Sequence, residues 1–273
     1  MIKRKINEFL TLTGLRSKGI FIPHRYIKSF KTRKYRYLEK FFNKYFHNMI
    51  LNIQSITEYE DNLIDLSTTF EPEPRWNQDW FPRLDAASTY FMIRKNKPKK
   101  IVEIGSGHSS RFLSKGIVDN KIKCDLVCID PKPRANIKNL PFINHIELKI
   151  QDLNIDNFSF DQIDILFIDS SHILMPGSDV DIIFNHIIPK LKIGALVHVH
   201  DIFLPDNYPN SWSWRNYNEQ TLVATLLLSD RWSIEWASNY IKSYLYKEIE
   251  KTFLHRLPLL NNAFESSLWI KKL

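Results

Sequence analysis

From Leu84 onward, short apolar runs of strand length alternate with longer amphipathic stretches, a pattern that predicts a parallel sheet wrapped by helices. Strands are expected at Ile101 to Ile104, Leu126 to Asp130, Ile146 to Ile150, Ile163 to Asp169 and Ala195 to Asp201. The helix after Asp169 carries its own punctuation: Ser178 followed by Asp181 resembles a capping box, Val180, Ile183, Phe184, Ile187 and Leu191 form one apolar stripe, and Gly194 follows its end. Leu222, Val223, Leu226 and Leu227 mark another helix, and a further helical stretch runs around Tyr240 to Phe253. WSIEWA and SSLWIKK can pair as a closing hairpin on the sheet edge. Upstream, FFNKYFHNMILNIQSI places apolar side chains at helical spacing. The predicted organisation is a helical extension over residues 1–70 and an α/β domain over residues 71–273, with STTFEPEPRWNQDWFP as a linker or a lid between them.

Composition adds that this is a globular chain, since 44% hydrophobic and 25% charged residues suffice to bury a core. No apolar run approaches the roughly 18 to 20 residues needed to cross a bilayer. The opening MIKRKINEFLTLTGL has a basic head but no small-residue cleavage site, so an unprocessed cytoplasmic protein is expected. Cys124 and Cys128 are the only cysteines, with no partner pair at zinc spacing, and read as buried free thiols. Charge is uneven. Residues 1–45 hold thirteen Lys or Arg against Glu8 and Glu39, which exceeds the formal +8 of the whole chain and leaves the remainder net acidic. Phe9, Phe21, Tyr26, Phe30, Tyr35, Tyr37, Phe41, Phe42 and Tyr45 interleave with those charges. Such an arm suits an anionic membrane surface, which would place the protein at the periphery of the inner membrane, or a nucleic-acid backbone; a plain solvated face is the alternative.

Candidate chemistry concentrates at the strand ends, where open α/β sheets bind ligands. The stretch KKIVEIGSGHSS runs a strand into a turn, with Gly105, Ser106 and Gly107 allowing close backbone approach to a nucleotide and Ser109 or Ser110 able to cap the helix that follows. A dinucleotide would put its pyrophosphate on that helix N-terminus, beside Glu103, whose charge would repel it. S-adenosylmethionine has no phosphate and carries an ammonium and a sulfonium, so Glu103 favours it. Asp130 is then placed for the ribose hydroxyls, and Asp152 for the adenine edge. A nicotinamide oxidoreductase is an alternative, although no Tyr-x-x-x-Lys pair occurs.

From Trp76 to its last residue the chain resembles the class I S-adenosylmethionine-dependent methyltransferases, with E-x-G-x-G realised as Glu103, Gly105 and Gly107, and Asp130 as the acidic end of the second strand. WFPRLDAA, EIGSGHSS, FIDSSH with GSDV, HVHDIFLPDNYP and NEQ resemble more closely a bacterial group whose acceptors are mostly unassigned. Ser109 stands where the superfamily often has a third small glycine. The resemblance implies a Rossmann-like, seven-stranded, mostly parallel sheet with helices on both faces and its last strand antiparallel. It also implies methyl transfer, an in-line displacement in which the enzyme positions a nucleophile and takes its proton.

His172 and His200, beside Asp169 and Asp201 at the fourth and fifth strand ends, are the candidate general bases, with Asp169 as a third catalytic and cofactor-binding residue. His198 shares a strand face with His200. The catechol-type relatives implied by the resemblance carry a divalent ion on comparable acids, here Asp169, His200 and Asp201, but they have Asp-Asn where this chain has His-Asp. Such an ion is compatible with the site and is not expected to be essential. Trp76, Trp80, Trp212 and Trp214, with His172, Arg215 and Glu219, are the candidate acceptor residues, because aromatic platforms in loops suit a sugar or another ring. The expected activity is O-methylation of a small molecule or glycan, including a lipid-linked one. A nucleic-acid methyltransferase using the basic arm is the second alternative, against which FIDSSH stands where amino-directed enzymes have a Pro-Pro-aromatic motif.

Overall fold

The computed structural model describes all residues except 1, 17, 18, 27, 29, 30, 68 and 69. Phe30 of the basic arm and the two threonines of STTFEPEP therefore lie outside the described residues. The chain divides into two compact units, Met1–Arg33 and Lys34–Leu273. The first contains helix α1 (Ile2–Leu12), on which Ile6, Phe9 and Leu12 are exposed.

The second unit runs in chain order through α2 (Arg36–Ser55), α3 (Glu60–Ile64), α4 (Arg83–Asn96), β1 (Lys100–Ile104), α5 (His108–Asn120), β2 (Asp125–Ile129), β3 (Ile143–Ile146) and β4 (Ile165–Ile168). It continues through α6 (Asp179–Ile182), β5 (Leu196–Val199), α7 (Glu219–Leu227), β6 (Trp232–Ala237), α8 (Ser238–Tyr244), α9 (Tyr246–Glu250) and β7 (Leu268–Lys272). The seven strands form one sheet in the order β3-β2-β1-β4-β5-β7-β6. Neighbours among the first five strands pair in parallel, while β7 runs antiparallel to both β5 and β6. This is the expected Rossmann-like sheet with its last strand reversed. β4 and β5 are buried along their whole length, and β4 accordingly reads as a continuous apolar run, ILFI, while β5 carries His198 among its apolar residues.

Two expectations need correction. The compact unit begins at Lys34, so residues 34–70 belong with the sheet rather than with the basic extension. The cause lies on α2, which buries Leu38, Phe41, Phe42, Met49 and Ile53 and turns polar side chains toward the edge strand β6. There Asn48 Nδ2 donates to the Ile234 carbonyl at 2.9 Å, Asn52 Nδ2 to the Glu235 carbonyl at 2.7 Å, and the Tyr45 hydroxyl to the Trp232 carbonyl at 3.3 Å. An edge strand leaves a row of unpaired backbone groups, and this helix covers them. The third strand is Ile143–Ile146 rather than Ile146–Ile150, because its partner β2 ends at Ile129 and its ladder with β3 stops at the Ile129–Ile146 pair. The apolar alternation continues into Leu148 and Ile150 with no strand left to pair with, and Ile150–Asp152 turn as a 3₁₀ segment.

The strand order reverses at β1, which has β2 on one side and β4 on the other. That switch point opens the crevice where such sheets bind ligands. Gly105 makes the exit possible: its φ is +84°, and an added Cβ would lie 1.8 Å from the carbonyl oxygen of Asp169 at the end of β4.

The segment before β7 is fastened to α4 by a buried ion pair. Arg83 Nε and Nη2 donate to the two Glu265 oxygens at 2.8 and 2.9 Å, and the Leu84 N–H adds a third bond at 2.9 Å. Removing one partner strands a charge out of water. Glu265→Ala is expected to lower unfolding free energy by about 3 to 5 kcal/mol in urea titration. A loss below about 1 kcal/mol would show the pair to be as weak as an exposed one.

Candidate active site

Two cavities meet beyond the carboxyl ends of the strands. The larger, about 320 Å³, lies at the ends of β1, β2 and β4 and is lined by Gly105, Ser106, Asp130, Gln151, Asp169 and Ser170 among others. The smaller, about 130 Å³, is walled by Trp80, His108, Asp201, Trp212, Arg215 and Tyr217 with their neighbours. Ser106, Arg134 and Asp169 line both, so the two share a boundary at the end of β4.

Glu103 does not face either cavity. Its carboxylate is fully buried beneath the turn, where Ser109 Oγ donates to one oxygen at 2.6 Å, and Ser110 Oγ and Cys128 Sγ donate to the other at 2.5 and 3.1 Å. Burial, only partly offset by these bonds, pushes its pKa up to about 7. The expected electrostatic part for Glu103 in the crevice is thereby corrected. It anchors the first turn of α5, and Ser109 is turned inward to it although it borders the smaller cavity. Gly107 lies on the smaller cavity as well, and Gly105 and Ser106 edge the larger one.

Asp130 stands at the larger cavity with its two oxygens accepting the backbone N–H groups of Ser106 at 2.7 Å and Lys132 at 2.6 Å. The carboxylate thus shapes the glycine turn, and each oxygen keeps a second lone pair. Asp152 lies elsewhere: it is exposed in the 3₁₀ turn and lines neither cavity, the earlier end of β3 having shifted its register. Its neighbour Gln151 reaches the wall instead.

The strand ends of β4 and β5 carry a buried ionic cluster. His172 Nδ1 is 2.8 Å from Glu219 Oε2, and its Nε2 is 3.4 Å from both Asp169 and Asp201. His200 Nδ1 is 3.4 Å from Asp169 and from Asp201, and its Nε2 is 3.3 Å from Asp85. The Asp85 carboxylate also accepts the N–H groups of Ser266 at 3.0 Å and Ser267 at 2.8 Å. His172 and Asp201 both hold left-handed backbone, with φ of +60° and +56°, an uncommon state that here aims both side chains inward.

Electrostatics decides the protonation states. Burial alone would lower both imidazoles, but the carboxylates bonded to them win, and His172 and His200 are held well above the usual histidine range. Burial would raise Asp169, yet the two imidazoles hold it well below the usual carboxylate range. The same carboxylates favour the protonated form of both histidines, whereas a general base must begin neutral, so the arrangement does not favour the general-base role expected of them. The expected metal set of Asp169, His200 and Asp201 is corrected too. Among the described residues no group of three or more His, Cys, Asp or Glu is arranged to hold a metal ion, and these side chains are engaged with one another in ion pairs.

His198 is a core residue: its ring stacks on Phe167 at 3.7 Å between centroids, Nε2 pairs with the Ser267 hydroxyl at 2.8 Å, and burial holds its pKa well below the usual range. Trp76 is also structural, buried with Nε1 donating to the Leu63 carbonyl at 3.0 Å, and so is Glu219, which is fully buried behind His172. Trp214 is exposed and lies outside the cavity lining. Trp80, Trp212, Arg215 and His172 line the smaller cavity. From the segment read as a linker or lid, Asp79, Trp80 and Phe81 line the smaller cavity.

The site also contains a residue that the sequence pattern does not single out. His108, directly after Gly107, lines the smaller cavity with Nδ1 buried and unpartnered. Burial, with Arg111 and Arg75 nearby, pulls its pKa down to about 4, so it is the neutral imidazole of the site. Its position at the first turn of α5, next to the second glycine, was the available signal.

A family model described as a methyltransferase domain matches residues 102–202, from β1 to just past β5. No curated protein matches the chain. Among solved structures, the SAH-bound methyltransferase PaMTH1 of Podospora anserina is similar at 16% identity and a TM-score of 0.45, over 93% of this chain and 99% of that one. The plantazolicin methyltransferase BpumL, in complex with a monoazolic desmethylPZN analog and SAH, is similar at 14% identity and a TM-score of 0.45, over 86% and 99%. Similarity at that level carries no argument about chemistry, and the fold rests on the strand order itself.

The elevated pKa of Glu103 has a sign that can be measured. The folded state holds the proton up to about pH 7 while the unfolded chain releases it near 4.5, so stability falls as pH rises between those values and levels off above. The full loss amounts to about 3 kcal/mol. Glu103→Gln is expected to flatten that part of the profile in urea unfolding at pH 5, 6 and 7, whereas parallel profiles for the two proteins would refute the buried, raised carboxyl.

Proposed function

We propose that this protein is an S-adenosylmethionine-dependent methyltransferase that methylates an oxygen of a small molecule. The observation that carries the reading is the meeting of two cavities at Asp169, one behind the glycine turn and one before the ionic cluster. The family match over residues 102–202 supports the same reading, since it spans the turn and both catalytic strand ends.

The residues of the larger cavity fit the cofactor. Asp130 offers free lone pairs at the end of β2, Ser170 Oγ is buried there without a partner, and Gly105 lets the backbone come close. Bound S-adenosylmethionine supplies an electrophilic methyl group on a positively charged sulfur. The protein's own task is then to aim an oxygen at that group.

Asp169 performs the aiming. It is the carboxylate of the cluster with substantial exposure, at 30% of its side chain, and it fronts both cavities. His172 and His200 fix its orientation as cations and keep it ionised, so it accepts a hydrogen bond from an acceptor hydroxyl. Because Asp169 is a weak base in that setting, the acceptor oxygen is one that is acidic or that sheds its proton as the methyl arrives.

Calorimetry with S-adenosylhomocysteine tests the reading. Binding is expected for the wild type, with affinity lowered at least about tenfold in Asp130→Ala. Stabilisation by NADH but not by S-adenosylmethionine in a thermal shift would replace the methyltransferase by an oxidoreductase. Asp169→Asn is expected to lower methyl transfer while sparing cofactor affinity, and an equal loss of both would assign Asp169 to cofactor binding alone.

A further inference from the structure

Two arginines of the smaller cavity make no ion pair with a carboxylate among the described residues. The arginines paired with carboxylates among the described residues are Arg75, Arg83, Arg94, Arg111 and Arg256. Arg134 and Arg215 are absent from that set, although Asp79, Asp169 and Asp201 line the same cavity. Both are held instead by aromatic rings. The Arg134 guanidinium lies 4.3 Å over Trp80, and that of Arg215 lies 4.1 Å over Trp212, 5.3 Å over Trp214 and 5.3 Å over Tyr217. Nη1 of Arg215 donates to the Tyr217 hydroxyl at 2.9 Å, while its Nε is buried with no partner.

A guanidinium stacked on rings has already lost its rotamer freedom and keeps its edge donors aligned, so a planar anion finds a fork prepared for it. A buried N–H without an acceptor costs free energy until a ligand supplies one. The lining of the cavity runs from exposed to buried. Trp80 and Arg134 are exposed at its mouth, while His172, His200 and Asp201 are buried at its floor.

Building on the methyltransferase reading, we infer that the acceptor carries an anionic group, a carboxylate or a phosphate, which Arg215 and Arg134 hold at the mouth while the oxygen to be methylated points to Asp169. Arg215 is then a specificity-determining residue. A neutral acceptor of the same shape leaves its Nε without an acceptor and is disfavoured.

The test uses the full chain saturated with S-adenosylhomocysteine and three probes of similar shape: benzoate, phenyl phosphate and the uncharged benzyl alcohol. Calorimetric titration is expected to show at least one anion binding about tenfold or more tightly than the alcohol, and the preferred anion identifies the group as carboxylate or phosphate. Arg215→Gln is expected to abolish that preference without moving the affinity for S-adenosylhomocysteine or the unfolding midpoint, and Arg215→Lys to retain part of it. Equal binding of all three probes, or a preference that survives in both Arg215→Gln and Arg134→Gln, overturns the inference. Failure of S-adenosylhomocysteine to bind is a separate outcome that removes the methyltransferase reading, and the same titration without it then reports whether the anion site stands alone.

Discussion

Six ionisable side chains packed together, five of them out of water, are the constraint around which this fold is arranged. His172 and His200 lie among Asp85, Asp169, Asp201 and Glu219 at distances of 2.8 to 3.4 Å. An isolated charge at that depth would be neutralised or would unfold the region, so each group persists because the others are present. The members come from α4, the ends of β4 and β5, and the first turn of α7. Losing the position of any of these elements leaves a charge unpaired. The cluster is therefore a device for registering parts of the chain that are remote in sequence, and the requirement for exact pairing fixes where the strand ends stop.

The surrounding bonds show how that registration spreads. Asp85 reaches His200 on one side and the backbone of Ser266 and Ser267 on the other, so α4 ties the end of β5 to the residues that lead into β7. Arg83 and Glu265 repeat the link beside it, two residues away on α4. Glu219 and Asn218 donate their N–H groups to the His172 carbonyl, which docks the start of α7 on the loop after β4. Asp169 is left at the front of this framework, braced from behind and open only toward the two cavities. A carboxylate so placed has little freedom to reorient, which is the form of order that in-line chemistry requires.

Much of this was legible in the sequence because the signals were local. Gly105 and Gly107 marked the turn, Ser178 capped its helix through the Asp181 N–H at 3.2 Å, and the strands buried on both faces announced themselves as apolar runs. What failed to show was set by partners distant in sequence. Strand β3 was displaced because its length is dictated by β2, and Asp152 moved with it. The polar residues on α2 looked like an arm until the β6 carbonyls they cover came into view. Trp76 and Trp80 lie four residues apart and are alike in type, yet one is buried at 2% exposure and the other stands at 50%. Nothing in the pattern separates them, because the difference depends on where Leu63 and Arg134 are brought.

Glu103 carries the most instructive reversal. A carboxylate beside a glycine turn suggested a charge turned toward the ligand, and the structure turns it under the turn, into contact with Ser109, Ser110 and Cys128. With a pKa near 7 it is only partly charged at neutrality, so it can neither draw in a cation nor repel a diphosphate with full strength. Discrimination between ligands must then come from groups that border the cavities. Asp130 and Asp169 are acids in front of the turn, and the guanidiniums of Arg134 and Arg215, which make no ion pair among the described residues, line the smaller cavity. Reading electrostatics from sequence fails here for a physical reason: the same carboxylate has opposite consequences on the two sides of one strand end, and only the direction of its side chain decides between them.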